Sequence, residues 1–600
     1  MVFFPVPLPA GVVKTDSPYA VSGRWVDADK VRFRSGKAEK MGGAAKFIVD
    51  QFSGYARGAL AWVTYAGFQC VAFGTATKLY IIRNGILTDV TPFRVENIAL
   101  TDPFETTNGS TTVTVTDVAH GITTVGTAVL FEGASAVGGI TIDGEYLVTA
   151  IPTADTFTIT AASPASSDDT GGGSVTASYY FNVGLVDPAY LTGWGVGPWG
   201  YGGWGVGVSE AFGVRIDPLA WSMDNYGEDL ILCPFENTLY YLDVTLGVVP
   251  PVPISGAPEK IRASFVTSER YPFALGCTNL LGVFDAMTVR WPDIEDMTDW
   301  TPTSTNTANE RKLQGGSRLI TGCAFQQGLS LVWSDSHLFT FQFTGTSTIY
   351  DSKPAGSECG LLGPKAFAKT DTAAFWMSNT GFHYFNGVVD EIPNASDIDA
   401  WVFQNLNATH AVKSFAFFNK EFNEVWFVYP DGVNTEPNRY VAVSLDDFSW
   451  TVGEWSRTTA ARFGVGEKRP LLFGADGYVW AHESSPKNDN TAAMEAYIES
   501  APFDLEEGNV CLDVWGFVPD FERQSGDIEL YVYGIDHPRD GVVSEDTVTI
   551  AEDTVIEDLR AAGRQIGFRL TSNVVDGDFR LGKCQLDISG GGKKRSSRTT

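Results

Sequence analysis

Six histidines and seven cysteines are the residues of this 600-residue chain best suited to nucleophilic, acid–base or metal chemistry. Their spacing points away from all three. His120, His337, His383, His410, His482 and His537 are scattered, with no pair at metal-ligand separation. Cys70, Cys233, Cys277, Cys323, Cys359, Cys511 and Cys584 contain no C-x-x-C and lie mostly in apolar runs. They read as small buried hydrophobes of a chain made in a reducing cytoplasm, with neither a disulfide framework nor a zinc site. The phosphate loop G-x-x-x-x-G-K-[ST], the nucleophile elbow G-x-S-x-G and the zinc motif H-E-x-x-H do not occur. No cofactor and no catalytic residue is assigned.

Carboxylates are abundant. The chain has 72 Asp and Glu against 42 Lys and Arg, a net charge of −30. Such a surface repels nucleic acid. The plain reading is solubility; the sharper one is a wall past which DNA slides without sticking. Residues 95–214 contain no Lys or Arg at all. Within them Glu132, Asp143, Glu145, Asp155, Asp168 and Asp169 are candidates for an acidic channel lining or an outward tip. A glycosidase needs two carboxylates flanking the bond it breaks, and sequence cannot show which of these face each other. Residues 444–450 partly resemble the Asp-box of sialidases, a structural turn, with Phe448 where a small residue belongs.

The elements that must position these groups are strands. High glycine (63 residues) and 13% aromatics favour pleated sheets joined by tight turns. The best helix candidate is short, at residues 396–406. A phrase of apolar strand, polar turn and aromatic strand recurs at 68–80, 230–240, 329–339, 373–385 and 471–480, with a degenerate copy near 415–429. Each copy reads as a β-hairpin. Repetition of such hairpins implies an irregular β-propeller, with unrelated meanders as the alternative. Residues 98–177 break the pattern. They are rich in Thr and Val at period two and read as an inserted acidic β-sandwich or barrel.

The expected organisation is all-β. Residues 1–97 hold N-terminal strands and a first blade, 98–177 the insert, 178–490 the remaining blades, 491–589 a C-terminal β-sandwich and 590–600 a flexible basic tail. The first ten residues carry three prolines and no basic start, so they read as neither signal peptide nor membrane anchor. Residues 193–207 alternate glycine with Trp194, Trp199, Tyr201 and Trp204. Exposed to water this would be adhesive, so it is a candidate interface with the chain's own body or a neighbouring subunit. Arg32, Arg34 and Lys37, in a rare cationic stretch, are candidates for contact with another subunit.

Several stretches together resemble the tail nozzle, or tail hub, proteins of short-tailed bacteriophages, also called packaged-DNA stabilisation proteins. Residues 28–43 are similar to their opening phrase, 74–80 with 87–92 to a first blade, and 289–302 continuing through 306–309 and 315–320 carry the most specific likeness. Residues 563–569 and 579–583 look like strands of the same family. The resemblance implies a virion structural protein without catalysis, assembled in the host cytoplasm and placed in the tail. It implies a homo-oligomer, usually a hexamer, below a head-to-tail adaptor and near tail spikes or fibres. Its acidic channel would retain packaged double-stranded DNA and conduct it at ejection without sequence recognition. The readings kept beside it are a spike- or fibre-anchoring tail protein without a lumen, and a carbohydrate-active propeller enzyme.

Overall fold

A computed structural model describes residues 3–5, 8–15, 20–191, 214–346, 349–461, 469–504, 510–537 and 541–591. Trp194, Trp199, Tyr201, Trp204 and the basic tail lie outside the described residues. The architecture is almost entirely β-sheet, with several sandwich-like sheets and one nearly closed eight-stranded barrel. The α-helix at Asp399–Asn405 falls within the expected segment. The chain divides into two compact units, Asp50–Gly360 and the pair Met1–Val49 with Leu361–Thr600.

Among the described residues, the unit Asp50–Gly360 contains four antiparallel four-stranded meanders, each built from strands consecutive along its own part of the chain. The first runs through Ala59–Val63, Gln69–Gly74, Leu79–Arg83 and Ile86–Asp89. The second spans Trp221–Tyr226 to Val252–Pro253, the third Ile261–Val266 to Asn309–Lys312 and the fourth Leu319–Gln326 to Tyr350–Ser357. The first strand of each packs on the first strand of the next. Trp221 is fully buried between the first two sheets and donates its indole N–H to the Thr75 carbonyl at 2.7 Å. Gly74 leaves room for it, since a Cβ there would lie 2.4 Å from the indole ring.

Between the first and second meanders the chain folds the barrel. Its strand order begins with Phe93–Thr101 and Ser174–Tyr180 and ends with Phe104–Thr106 and Asp169–Gly171. The alternation read from Thr112–Thr116 and Thr156–Thr160 is a strand pair in register, Val113 opposite Ile159 and Val115 opposite Phe157. These four side chains are fully buried in the barrel core. The threonines between them face outward, as period two requires.

Among the described residues, the other unit contains three further meanders. The fifth spans Phe367–Lys369 to Val389–Glu391 and the sixth Phe415–Asn419 to Trp450–Glu454. The seventh has three strands of its own, Arg457–Ala461, Leu471–Gly474 and Val479–Ser484. Its fourth is Gly43–Lys46 from the start of the chain. The strands before it pair with the C-terminal region: Trp25–Asp29 with Ala496–Ser500, and Lys37–Lys40 with Asp578–Leu581. Five of the six recurring phrases are the second and third strands of their meanders, and the copy near 415–429 supplies a first and second. All seven cysteines are buried and unbridged.

Candidate functional surface

The six barrel carboxylates singled out from the sequence are all exposed. Most also fix turns. Asp143 accepts the Gly133 N–H at 3.0 Å, Asp155 that of Ala119 at 2.8 Å and Asp168 that of Asn108 at 2.7 Å. Asp169 accepts from Gly138 at 3.2 Å and from Thr170 at 2.9 Å. Each loop thus holds its acid at a fixed place, because an ionised carboxylate is a strong acceptor for turn N–H groups. Glu145 meets a cation, Lys78 of the first meander, at 3.4 Å; Lys78 also pairs with Asp89 at 3.1 Å. At the barrel's entry Arg94 donates to the His120 carbonyl at 2.6 Å, and burial lowers its pKa.

Three of the histidines are held in structural hydrogen bonds. His120 is buried, with Nε2 3.2 Å from the Thr153 carbonyl and Nδ1 accepting the Ile122 N–H at 3.1 Å. A carbonyl can only accept, so Nε2 carries the proton and the ring is neutral. His482 accepts the Arg457 Nε–H at 3.0 Å, and burial followed by that neighbouring charge holds its pKa well below the usual value. His383 lies 3.1 Å from the Ser378 hydroxyl and is also lowered by burial. Half-buried Asp399 is raised to about 7, chiefly by burial and then by the charge of Glu391. Among the described residues no group of three or more His, Cys, Asp or Glu could hold a metal.

Of the cationic stretch, Arg32 is buried, whereas Arg34 is exposed and Lys37 partly so. Arg32 is 1% exposed, so it cannot meet another subunit. Its strand, Val31–Arg34, turns this side chain inward between Glu424 and Glu483. Arg32 Nε lies 3.0 Å from Glu424, and Nη1 donates to Glu483 at 3.0 Å. Phe422 covers the guanidinium with its ring centroid 3.6 Å away. Glu483 also accepts from Gly42 N–H at 2.9 Å and Asn419 at 3.0 Å, and Glu424 from the Trp426 indole at 3.1 Å. Lys37 is partly exposed and pairs with Glu522 at 3.1 Å. Arg34 is exposed, with its guanidinium 5.6 Å from the Phe422 ring. The sequence signal was charge content alone, which cannot reveal acidic partners about 390 and 450 residues away.

Two buried carboxylates share one guanidinium, so the site carries excess negative charge. Burial pushes Glu424 up to about 7 against the pull of Arg32. The unfolded chain would release this proton near 4.5, the ordinary value, and the folded one near 7. Between those values the folded state holds more protons, so stability falls as pH rises through the window. Glu424→Gln is therefore expected to flatten the decline of melting temperature from pH 4.5 to 7 relative to the parent chain. Parallel melts of the two proteins across that range check it, and identical slopes would refute the assignment.

In the segment 289–302 several polar groups bond within the chain, although Ile294, Glu295 and Asp296 are exposed. Arg290 is buried and donates to the carbonyls of Thr278 at 2.8 Å and Trp300 at 3.0 Å. Trp291 donates to the Thr307 carbonyl at 3.1 Å, and Asp293 accepts the Thr307 N–H at 2.7 Å. Asn306 bridges Asp299 at 2.9 Å and the Thr301 carbonyl at 2.7 Å. These bonds knot one long loop between the third and fourth strands of the third meander.

No protein-family model matches the chain, and no curated protein matches it. Among solved structures it is similar to the phage phi92 endosialidase at 12% identity, over 81% of this chain and 82% of that one, with a TM-score of 0.17. It is similar to YCF48 bound to D1 peptide at 9% identity, over 47% and 92%, with a TM-score of 0.28. A third likeness, to an exo-beta-1,3-galactanase from Phanerochaete chrysosporium, has 9% identity over 57% and 97% with a TM-score of 0.20. At these TM-scores none of the three carries an argument about fold or activity. Among the described residues no helix is long and apolar enough to cross a membrane.

Proposed function

We propose that the chain is a wall subunit of a short-tailed phage nozzle, the meanders of each unit serving as propeller-type blades and the barrel as an acidic appendage. The observation that carries this reading is the fixed display of exposed carboxylates on a barrel whose own strands carry a single cation, Arg94. Exposed carboxylates are tied into turns by N–H bonds in a segment, 95–214, that contains no Lys or Arg. Such a surface repels phosphates over roughly 8–10 Å at ordinary salt, so a duplex passing it stays mobile. The phrase with the strongest family likeness, 289–302, supports the reading in another way. Several of its polar groups are spent on holding a loop, as a structural protein requires. Rigid meanders whose neighbouring first strands pack together suit a wall that must bear pressure.

The partners under this proposal are further copies of the chain, a head-to-tail adaptor and tail spikes or fibres. Electron microscopy of the purified full chain is expected to show rings with a central hole, and its native mass a multiple, about six in this family, of the 64.9 kDa subunit. A stable monomer at micromolar concentration would sink the proposal. So would virion images that put the chain on a solid fibre base with no passage.

A further inference from the structure

An open cleft of about 640 Å³ lies between the fifth and sixth meanders, within one compact unit, and belongs to none of the groups described above. Its position follows from the topology. Loops at one end of the two sheets converge there: residues 370–373, Asn386, 420–423 and 445–448. Aromatic side chains form its lining. Phe375 and Tyr384 sit opposite each other on adjacent strands and stack with centroids 6.0 Å apart and planes 22° from parallel. Phe418 and Phe448 complete it.

Phe448 is held there at a conformational cost. Its φ is +55°, in the left-handed region where a bulky side chain is rare. The turn enforces it: Asp447 accepts both the N–H and the hydroxyl of Ser449, at 3.0 and 2.7 Å, and the Phe448 N–H bonds the Ser444 carbonyl at 2.9 Å. This is the Asp-box-like segment of the sequence, where a small residue would adopt the turn freely.

The rim is polar and, among the described residues, unpaired. Asp371, Asn386 and Lys420 are exposed and make no side-chain hydrogen bond or ion pair, and the Tyr384 hydroxyl likewise has no partner. Asp371 and Lys420 carry opposite charges on one cleft without meeting.

We infer that this cleft binds a short oligosaccharide. Aromatic faces pack on the C–H face of a pyranose ring, while its hydroxyls both donate and accept. They can therefore satisfy Lys420, Asp371 and the amide of Asn386 at once. A purely apolar ligand would strand those polar groups. A simple anion would face Asp371, and a simple cation Lys420. The volume is within the range of small-molecule sites, roughly 300–1,000 Å³. The inference stands on the cleft alone and holds whether or not the chain forms a ring.

Isothermal titration of the full chain with maltotriose, triacetylchitotriose and trigalacturonic acid tests it. At least one is expected to bind with a Kd of roughly 1 mM or tighter, and the double variant Asn386→Ala/Lys420→Ala to weaken it about tenfold with an unchanged melting temperature. Tyr384→Ala should also abolish the stacking contribution. If none of the three binds at about 20 mM, the inference is overturned. Binding that the double variant and Tyr384→Ala leave unchanged overturns it equally.

Discussion

Replacing Arg32 by methionine will destabilise the unit that contains it by about 3–5 kcal/mol, the usual cost of stranding a buried charge. Methionine matches the length of the arginine stem, so the loss will not come from a void. It comes from Glu424 and Glu483, both nearly fully buried and both facing the guanidinium. Glu424 already sits at about 7 with the arginine present. Without it, both carboxylates must protonate or draw in water. The loss should therefore shrink toward pH 5, where protons are cheap to bind. Adding Glu424→Gln to Arg32→Met should recover part of the loss, because one of the two stranded charges is removed. Denaturant melts at pH 5 and pH 8 read both effects. A change below about 1 kcal/mol at pH 8, the level of an exposed ion pair, would show that the cluster is solvated after all. The same burial makes charge reversal of Arg32 a test of folding and not of subunit docking. Arg34, exposed beside it, remains accessible to a partner.

Local pattern was legible in the sequence, and long-range pairing was not. Hairpins at 68–80 or 471–480 are read from a polar turn between apolar strands, and the barrel from threonine alternation, because both signals are set by neighbours along the chain. The third meander escaped the repeat. Its turn is made of Asn279, Leu280, Leu281 and Gly282, with Leu281 86% exposed, and an apolar tip does not look like a turn. Its last two strands are also separated by the loop that Arg290 and Asp293 hold together. The acidic candidates stood out because residues 95–214 contain no Lys or Arg; Asp143, Asp155 and Asp168 lie in loops, and Glu132, Glu145 and Asp169 at the ends of strands. The cleft of Tyr384 and Phe448 was visible only as an anomaly, an Asp-box-like phrase with a bulky residue at the wrong place. Its meaning needed the neighbouring sheet.

The N-terminal strand was the least legible element, and it yields the second large effect. Gly43→Val is expected to cost about 3 kcal/mol, the upper end of overpacking penalties, and to free the first strands of the chain for proteolysis. Gly43 pairs with Ser484 in the seventh sheet while Ala44 meets Asp489 on the other side, so the strand is enclosed by backbone on both edges. A Cβ on Gly43 would lie 2.5 Å from both the amide nitrogen and the carbonyl oxygen of Asn488, and one on Gly42 would lie 2.3 Å from the Cα of Glu483. Backbone atoms cannot swing aside as a side chain can. Relief requires lifting Gly43–Lys46 off Val479–Ser484, which leaves the last sheet with three strands and an open edge. The carboxylate of Glu483 loses its Gly42 N–H at the same time, so the damage reaches Arg32. Limited proteolysis followed by N-terminal sequencing locates the release. Cleavage near residue 50 that appears in Gly43→Val and not in the parent chain is the expected result. Equal resistance and equal melting of the two proteins would mean that the strand does not close the sheet.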